Sequence, residues 1–202
     1  MKDSETPLTL ALFDFDGTIT YRDSMMPYLE FLHGKWRVRG EMLRFSPNMA
    51  KFIWGSESRT EFKEKILTYW LGDRESESLY QLGAAYAEMH LPKNIRLRAL
   101  SKIKWHQSQG HICLLVTASL DFWTKAWAES MDMPLLATQP KIEEGRFSGQ
   151  ILGANNWGEE KVRRVQAWLG NRPLESSYAY GDTHGDQPML DWADHSFFKP
   201  FR

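Results

Sequence analysis

Leu8-Thr9-Leu10-Ala11-Leu12-Phe13-Asp14-Phe15-Asp16-Gly17-Thr18 is the stretch from which the fold can be read. Five apolar residues in the six positions 8–13 describe a strand buried on both faces, and the acids and glycine that follow open its carboxyl end into a loop. Open parallel sheets keep their chemistry at such ends. Asp14 and Asp16 are expected to flank a cavity where the chain leaves the sheet. Holding two carboxylates together raises the pKa of one unless a cation intervenes. The two acids therefore read as an acid and nucleophile pair, a metal site, or both. The competing explanation is an ordinary Asp-Gly turn after a strand.

Downstream, from about Tyr21 to Met89, apolar residues fall at helical spacing and no strand is evident. Asp23 is placed to cap a helix carrying Met25, Met26, Tyr28, Leu29, Phe31 and Leu32 that ends near Gly34. A second helical stretch, 36–54, is interrupted by Pro47. Ser58-Arg59-Thr60-Glu61 has the spacing of a capping box, followed by the stripe Phe62, Ile66, Leu67 and Trp70, with Gly72 as the stop. Another helix is expected over 75–90.

Alternation then resumes. Pro92 opens a helix that reaches Gln109 and stops at Gly110, and 111–117 is a second buried strand. A helix over 121–131, a strand over 135–138 and a hairpin over 141–151 turning near Gly145 follow. A helix over 159–169, a strand over 177–180, a short helix over 187–193 and a strand over 195–198 complete the chain. The pattern predicts an α/β fold: a Rossmann-like parallel sheet core, residues 1–20 and 91–202, with an all-helical cap inserted over 21–90.

The 202 residues carry a net charge of -1, so no global attraction draws nucleic acid or an anionic membrane, and any phosphate recognition is local. No apolar stretch approaches the ~20 residues of a membrane span. The one cysteine, Cys113, sits in the apolar run 112–116 and reads as an inert core residue. A cytoplasmic location is expected. Nine Trp and nine Met allow either aromatic core packing or an apolar binding surface.

Three further loops carry polar groups. Val116-Thr117-Ala118-Ser119 leaves a buried strand, where a hydroxyl and the free N–H groups of a helix start suit a phosphate oxygen, or where Thr117 or Ser119 simply caps the next helix. Lys161 falls in the first turn of a helix, where the dipole disfavours a cation, so an inward-facing Lys161 needs a compensating anion. Gly181-Asp182-Thr183-His184-Gly185-Asp186 adds two carboxylates four apart after a strand, as expected for a hard divalent cation, although Asp186 could instead cap the helix before Pro188. His184 reads as a solvent-facing loop residue. Four strand-end loops thus offer acid pair, hydroxyl, lysine and acid pair to one cavity.

These residues resemble the four motifs of the haloacid-dehalogenase-like phosphohydrolase superfamily: Asp14-Phe15-Asp16-Gly17-Thr18, then Thr117, then Lys161, then Gly181-Asp182-Thr183 with Asp186. The helical insertion directly after the first motif resembles the cap of the branch containing phosphoserine phosphatase. The resemblance implies that Asp14 attacks phosphorus to give an aspartyl-phosphate and that Asp16 protonates the leaving alkoxide and then activates water. It implies that Thr117, Lys161 and the backbone around Ala118 and Ser119 hold the phosphoryl oxygens. Mg2+ would be bound by Asp14, the Asp16 carbonyl and Asp182, with Asp186 as a supporting or direct partner. The implied substrate is a small phosphomonoester, of a metabolite or lipid. The chain departs from the phosphoserine phosphatase pattern in having Asp23 where a Glu is usual and Thr117-Ala118-Ser119 where Ser-Gly-Gly is usual. Arg59 can meet a substrate carboxylate or phosphate, or lie exposed on its helix. A phosphotransferase of the same fold and a phospho-accepting switch protein are the alternative functions, and a cap that encloses the acids argues against the switch.

Overall fold

Strand β1 (Leu8–Phe13) lies at the centre of the molecule, and its side chains alternate between two apolar layers. Leu10 and Leu12 pack with Leu114, Val116 and Val165 on one face, while Ala11 and Phe13 join Leu115, Ile103 and Tyr180 on the other. The computed structural model describes residues 6–46 and 58–202.

The sheet has six strands in the order β4-β3-β2-β1-β5-β6. β1 pairs in parallel with β2 (Ile112–Leu120) and with β5 (Leu174–Gly181), so the carboxyl ends of all three open on the same edge. β3 (Leu135–Glu143) extends the sheet in parallel, and β4 (Arg146–Leu152) folds back antiparallel through a turn at Glu144 and Gly145. β6 (His195–Phe198) closes the opposite edge, parallel to β5. Long apolar runs made the central strands recognisable, and the hairpin turned where glycine supplies a positive φ.

Four described helices follow β1: α1 (Met25–His33), α2 (Lys35–Met42), α3 (Arg59–Leu71) and α4 (Ser76–Met89). The chain leaves and re-enters the sheet side by side, with Thr20 bridged to Ile95 and the Tyr21 amide donating to the Asn94 carbonyl at 2.7 Å. The capping box at Ser58 forms as its spacing requires, the Glu61 amide donating to the Ser58 hydroxyl and Glu61 accepting from the Ser58 amide. Asp23 also accepts from the amide of Met26, as its position before α1 implies. Of the stretch 36–54, only the part up to Ser46 is described: α2 and a short turn over Leu43–Phe45. Pro47 and Trp54 lie outside the described residues.

The remaining helices are α5 (Leu97–Ser108), α6 (Asp121–Ser130), α7 (Glu159–Leu169) and α8 (Gln187–Trp192). Three expectations differ from what forms. The strand over 135–138 and the first arm of the hairpin over 141–151 are one continuous strand, β3, because Gln139 and Pro140 already pair with β4. Pro92 opens only a short turn over Leu91–Asn94, and α5 begins after an extended Arg96, whose guanidinium Nε donates to the Thr20 carbonyl. β2 runs on to Leu120, because its pairing with β3 shifts register after Thr117 and the bulge keeps Ala118 and Ser119 extended.

The helices after β1 rest on the sheet layer through close backbone approach. Glycine at position 83 lets α4 meet the first turn of α6: a Cβ there would stand 1.6 Å from the Phe122 carbonyl oxygen. α3 lies along β4, with Glu64 accepting the Ile151 amide at 2.9 Å. Gly83→Ala should therefore cost about 3 kcal/mol, since backbone rather than a flexible side chain would have to move. Denaturant titration measures this, and an unchanged midpoint would show that α4 and α6 can separate freely.

Candidate active site

The open edge of the sheet collects the chemistry. Asp14 ends β1, its amide bonded to the Tyr180 carbonyl at 2.9 Å, and the chain then makes an irregular turn through Gly17 at φ 83°. That turn needs glycine twice over, because a Cβ at position 17 would lie 2.6 Å from a carboxylate oxygen of Asp182.

The two acids of the first loop point into different surroundings. Asp14 accepts from Lys161 Nζ at 2.6 Å. Asp16 instead accepts the Ser24 amide at 2.7 Å and the Ser119 hydroxyl at 2.5 Å. Burial drives the Asp14 carboxyl up to about 8, against the pull of Lys161. Asp16 is pushed up to about 6, by burial first and then by Asp23, while its bonds from Ser119 and Ser24 act in the opposite direction.

Lys161 faces inward and is 1% exposed. Its ammonium donates to Asp14, to Asp186 at 2.6 Å and to the Val116 carbonyl at 3.0 Å, so all three donors are used. Burial opposes its charge, yet the two carboxylates outweigh burial and hold it protonated. Asp186 in turn is held below the usual carboxylate range by Lys161 and by bonds from Thr183, despite burial. Its other oxygen accepts the amides of Asp182 and Thr183 and the Thr183 hydroxyl, so its side chain organises the loop rather than capping α8.

Thr117 is fully buried and accepts the Ser119 amide at 3.0 Å, and α6 has no side-chain cap at its start, so neither Thr117 nor Ser119 caps a helix. The bulge after Thr117 is what separates them from α6. Thr117, Ala118 and Ser119 instead line the second strand end beside Asp16.

Sequence reasoning missed three residues. Lys63 reaches from α3 to the Ala118 carbonyl at 2.6 Å and to Asn155 Oδ1 at 3.0 Å. Burial lowers it to about 8, with Asp16 and Asp23 opposing that fall. Asn156 Nδ2 donates to the carbonyls of Thr117 and Leu136, tying the second loop to its neighbour. A signal for Lys63 existed: positions 59, 63, 66 and 70 share one helical face, and on it Ile66 and Trp70 are buried. Arg59, one turn before Lys63, places its guanidinium over the Trp157 ring at 5.2 Å. His184 lies near the same ring and remains outside the acid cluster.

Residues 11–191 match the haloacid dehalogenase-like hydrolase family. The chain belongs to that family. Protein CicA of Caulobacter vibrioides is 30% identical over 199 residues, covering 97% of this chain and 87% of that protein. A histidinol-phosphatase of Neisseria meningitidis is 23% identical over 193 residues, covering 90% and 85%. Among solved structures, a protein of unknown function from Bordetella pertussis superposes with a TM-score of 0.81 at 27% identity, covering 95% of this chain and 89% of that one. A substrate-bound phosphoserine phosphatase has a TM-score of 0.63 at 17% identity, covering 96% and 87%, a likeness of fold.

As a haloacid dehalogenase-like hydrolase, the chain brings together one carboxylate oxygen each from Asp14, Asp182 and Asp186 within 4.8 Å. All-oxygen donors of this kind fit a hard divalent cation. Lys161→Met should cost about 3 to 5 kcal/mol, because Asp14 and Asp186 would then face one another buried and unneutralised. Denaturant titration of this variant and of Asp186→Asn tests the pairing, and wild-type stability for Lys161→Met would contradict it.

Proposed function

We propose that this hydrolase is a Mg2+-dependent phosphomonoesterase acting through an aspartyl-phosphate. The observation that carries the reading is the split pair: Asp14 joined to the buried ammonium, Asp16 joined to hydroxyl and amide donors two residues on. Such a division suits a nucleophile and a proton carrier. The phosphatase names of a sequence relative and of fold neighbours support the same reaction class.

In this reading an Asp14 oxygen forms a bond to phosphorus as the ester oxygen leaves, and Asp16 gives that oxygen its proton. Asp16, now a carboxylate, takes a proton from water, whose oxygen attacks phosphorus and releases phosphate, restoring Asp14. Lys161 together with the bound cation would keep Asp14 ionised and offset the charge of the phosphoryl group, and Thr117, the backbone at Ala118 and Ser119 receive its oxygens. Asp14, Asp16 through its backbone carbonyl and Asp182 would hold the metal, with Asp186 as a supporting or direct partner. Bound Mg2+ would supply the positive charge that a dianionic ester needs to approach four carboxylates.

Residues 21–90 act as the cap, and Lys63 and Arg59 carry it onto the second strand end and Trp157. An acid site covered in this way favours hydrolysis of a small metabolite or lipid ester over a phospho-accepting switch. The buried, unpaired Cys113, pushed up to about 12 by burial, suits a cytoplasmic location. Among the described residues no helix is long and apolar enough to cross a membrane.

Asp14→Asn should lower turnover at least about 10³-fold while leaving the circular dichroism spectrum unchanged. Asp16→Asn should slow the release of phosphate from every ester about 10²-fold, whereas the first release of nitrophenol, read as a burst, should slow far less than the release of an alkyl alcohol, since only the latter needs a proton on the leaving oxygen. Phosphate release from a panel of monoesters with Mg2+ is the measurement. Normal turnover by Asp14→Asn in metal-containing buffer would exclude the mechanism.

A further inference from the structure

The acids at the strand ends receive their cations from separate places. Lys161 serves Asp14 and Asp186. Asp182 is served by Arg202, whose Nη2 donates to Oδ2 at 2.5 Å, while Oδ1 accepts the Thr18 hydroxyl at 3.2 Å. Nothing in the motif pattern requires Arg202.

Its position is built by the residues before it. After β6, Lys199 takes a left-handed φ of 53° and its amide donates to the Gly181 carbonyl at 2.8 Å, turning the chain back across the end of β5. Phe201 is buried against the Tyr180 ring at 5.5 Å, and its carbonyl accepts from Arg96 at 3.4 Å. The Arg202 carbonyl accepts from Arg98 at 3.4 Å. The guanidinium therefore hangs from an anchored segment, half exposed, above a carboxylate that is itself buried.

We propose that Arg202 is a tethered counter-cation that competes with a divalent ion for Asp182, so that the segment 199–202 sets the metal affinity of the site. The proposal rests on the metal-dependent reading given above. A divalent charge taking Asp182 Oδ2 would stand beside a guanidinium in poorly solvated surroundings, and like charges there repel. Arg202 has solvent on its other side, so it can withdraw. What it gives up is a charge-assisted hydrogen bond, which metal binding must replace. Without metal, the same bond keeps the carboxylate paired and the loop in place.

The test is calorimetric titration of MgCl2 into the whole chain as wild type, Arg202→Gln, Arg202→Lys and Asp182→Asn, with thermal unfolding followed in EDTA and in saturating MgCl2. Arg202→Gln should bind Mg2+ about tenfold more tightly. Its melting temperature should fall in EDTA and match wild type in MgCl2, because the lost bond matters only when metal is absent. Arg202→Lys should lie between, keeping the charge and losing the fork. Equal or weaker Mg2+ binding by Arg202→Gln, or an equal loss of melting temperature in both buffers, overturns the proposal. If wild type shows no Mg2+ binding that Asp182→Asn abolishes, the metal-dependent reading itself fails. If that binding is present and Arg202→Gln leaves it unchanged, only the competition fails.

Discussion

A buried ammonium holds this molecule's chemistry in register. Lys161 Nζ sits between the end of β1, the Val116 carbonyl within β2 and the loop after β5, bonded to one group from each. A lone charge at that depth would be prohibitively costly, and two facing carboxylates would be no better. Each side is stable only because the other is present. The pairing also overrides a local preference, since a cation in the first turn of α7 opposes the helix dipole. Loop conformation and charge state at the sheet edge both depend on this contact.

The different surroundings of Asp14 and Asp16 follow from it. Lys161 sets one acid beside a buried cation, and the turn through Gly17 sends the other toward Ser24 and Ser119. Ser24 belongs to the segment leading into α1 and also accepts the indole N–H of the fully buried Trp123 at 2.9 Å. The position of Asp16 is thereby tied to the helices above the sheet. Lys63 makes the reciprocal link, from α3 down to Ala118 and Asn155. The helical layer and the sheet are thus joined at the atoms around Asp16, where a proton carrier would be sensitive to closure.

Residues differ in how legible they were. The runs 8–13 and 111–117 were readable as strands because burial on both faces demands unbroken apolar sequence. Ser58 and Glu61 announced α3 through chemistry completed within four residues. Local signals failed where a neighbour in space decided the outcome. Thr117-Ala118-Ser119 has the composition of a helix cap, yet pairing with β3 keeps it extended past a bulge. Pro92 looked like a helix start, yet Arg96 is held extended while its side chain bonds the Thr20 carbonyl. Asn155 and Asn156 gave little warning because their partners are remote in the chain, and the face shared by 59, 63, 66 and 70 placed Lys63 without naming its partners.

From sequence alone followed the alternation of buried strands with helices, the helical insertion after the first strand, and the placing of Asp14, Asp16, Thr117, Lys161, Asp182 and Asp186 at or near strand ends. Those features rest on periodicity and turn chemistry, which act over a few residues. Tertiary structure decided which cation meets which acid: Lys161 with Asp14 across 147 positions, Arg202 with Asp182, Lys63 with the second loop. Those pairings depend on β1 lying between β2 and β5 and on α3 lying along β4, and such an arrangement is set by burying whole faces together rather than by any local pattern.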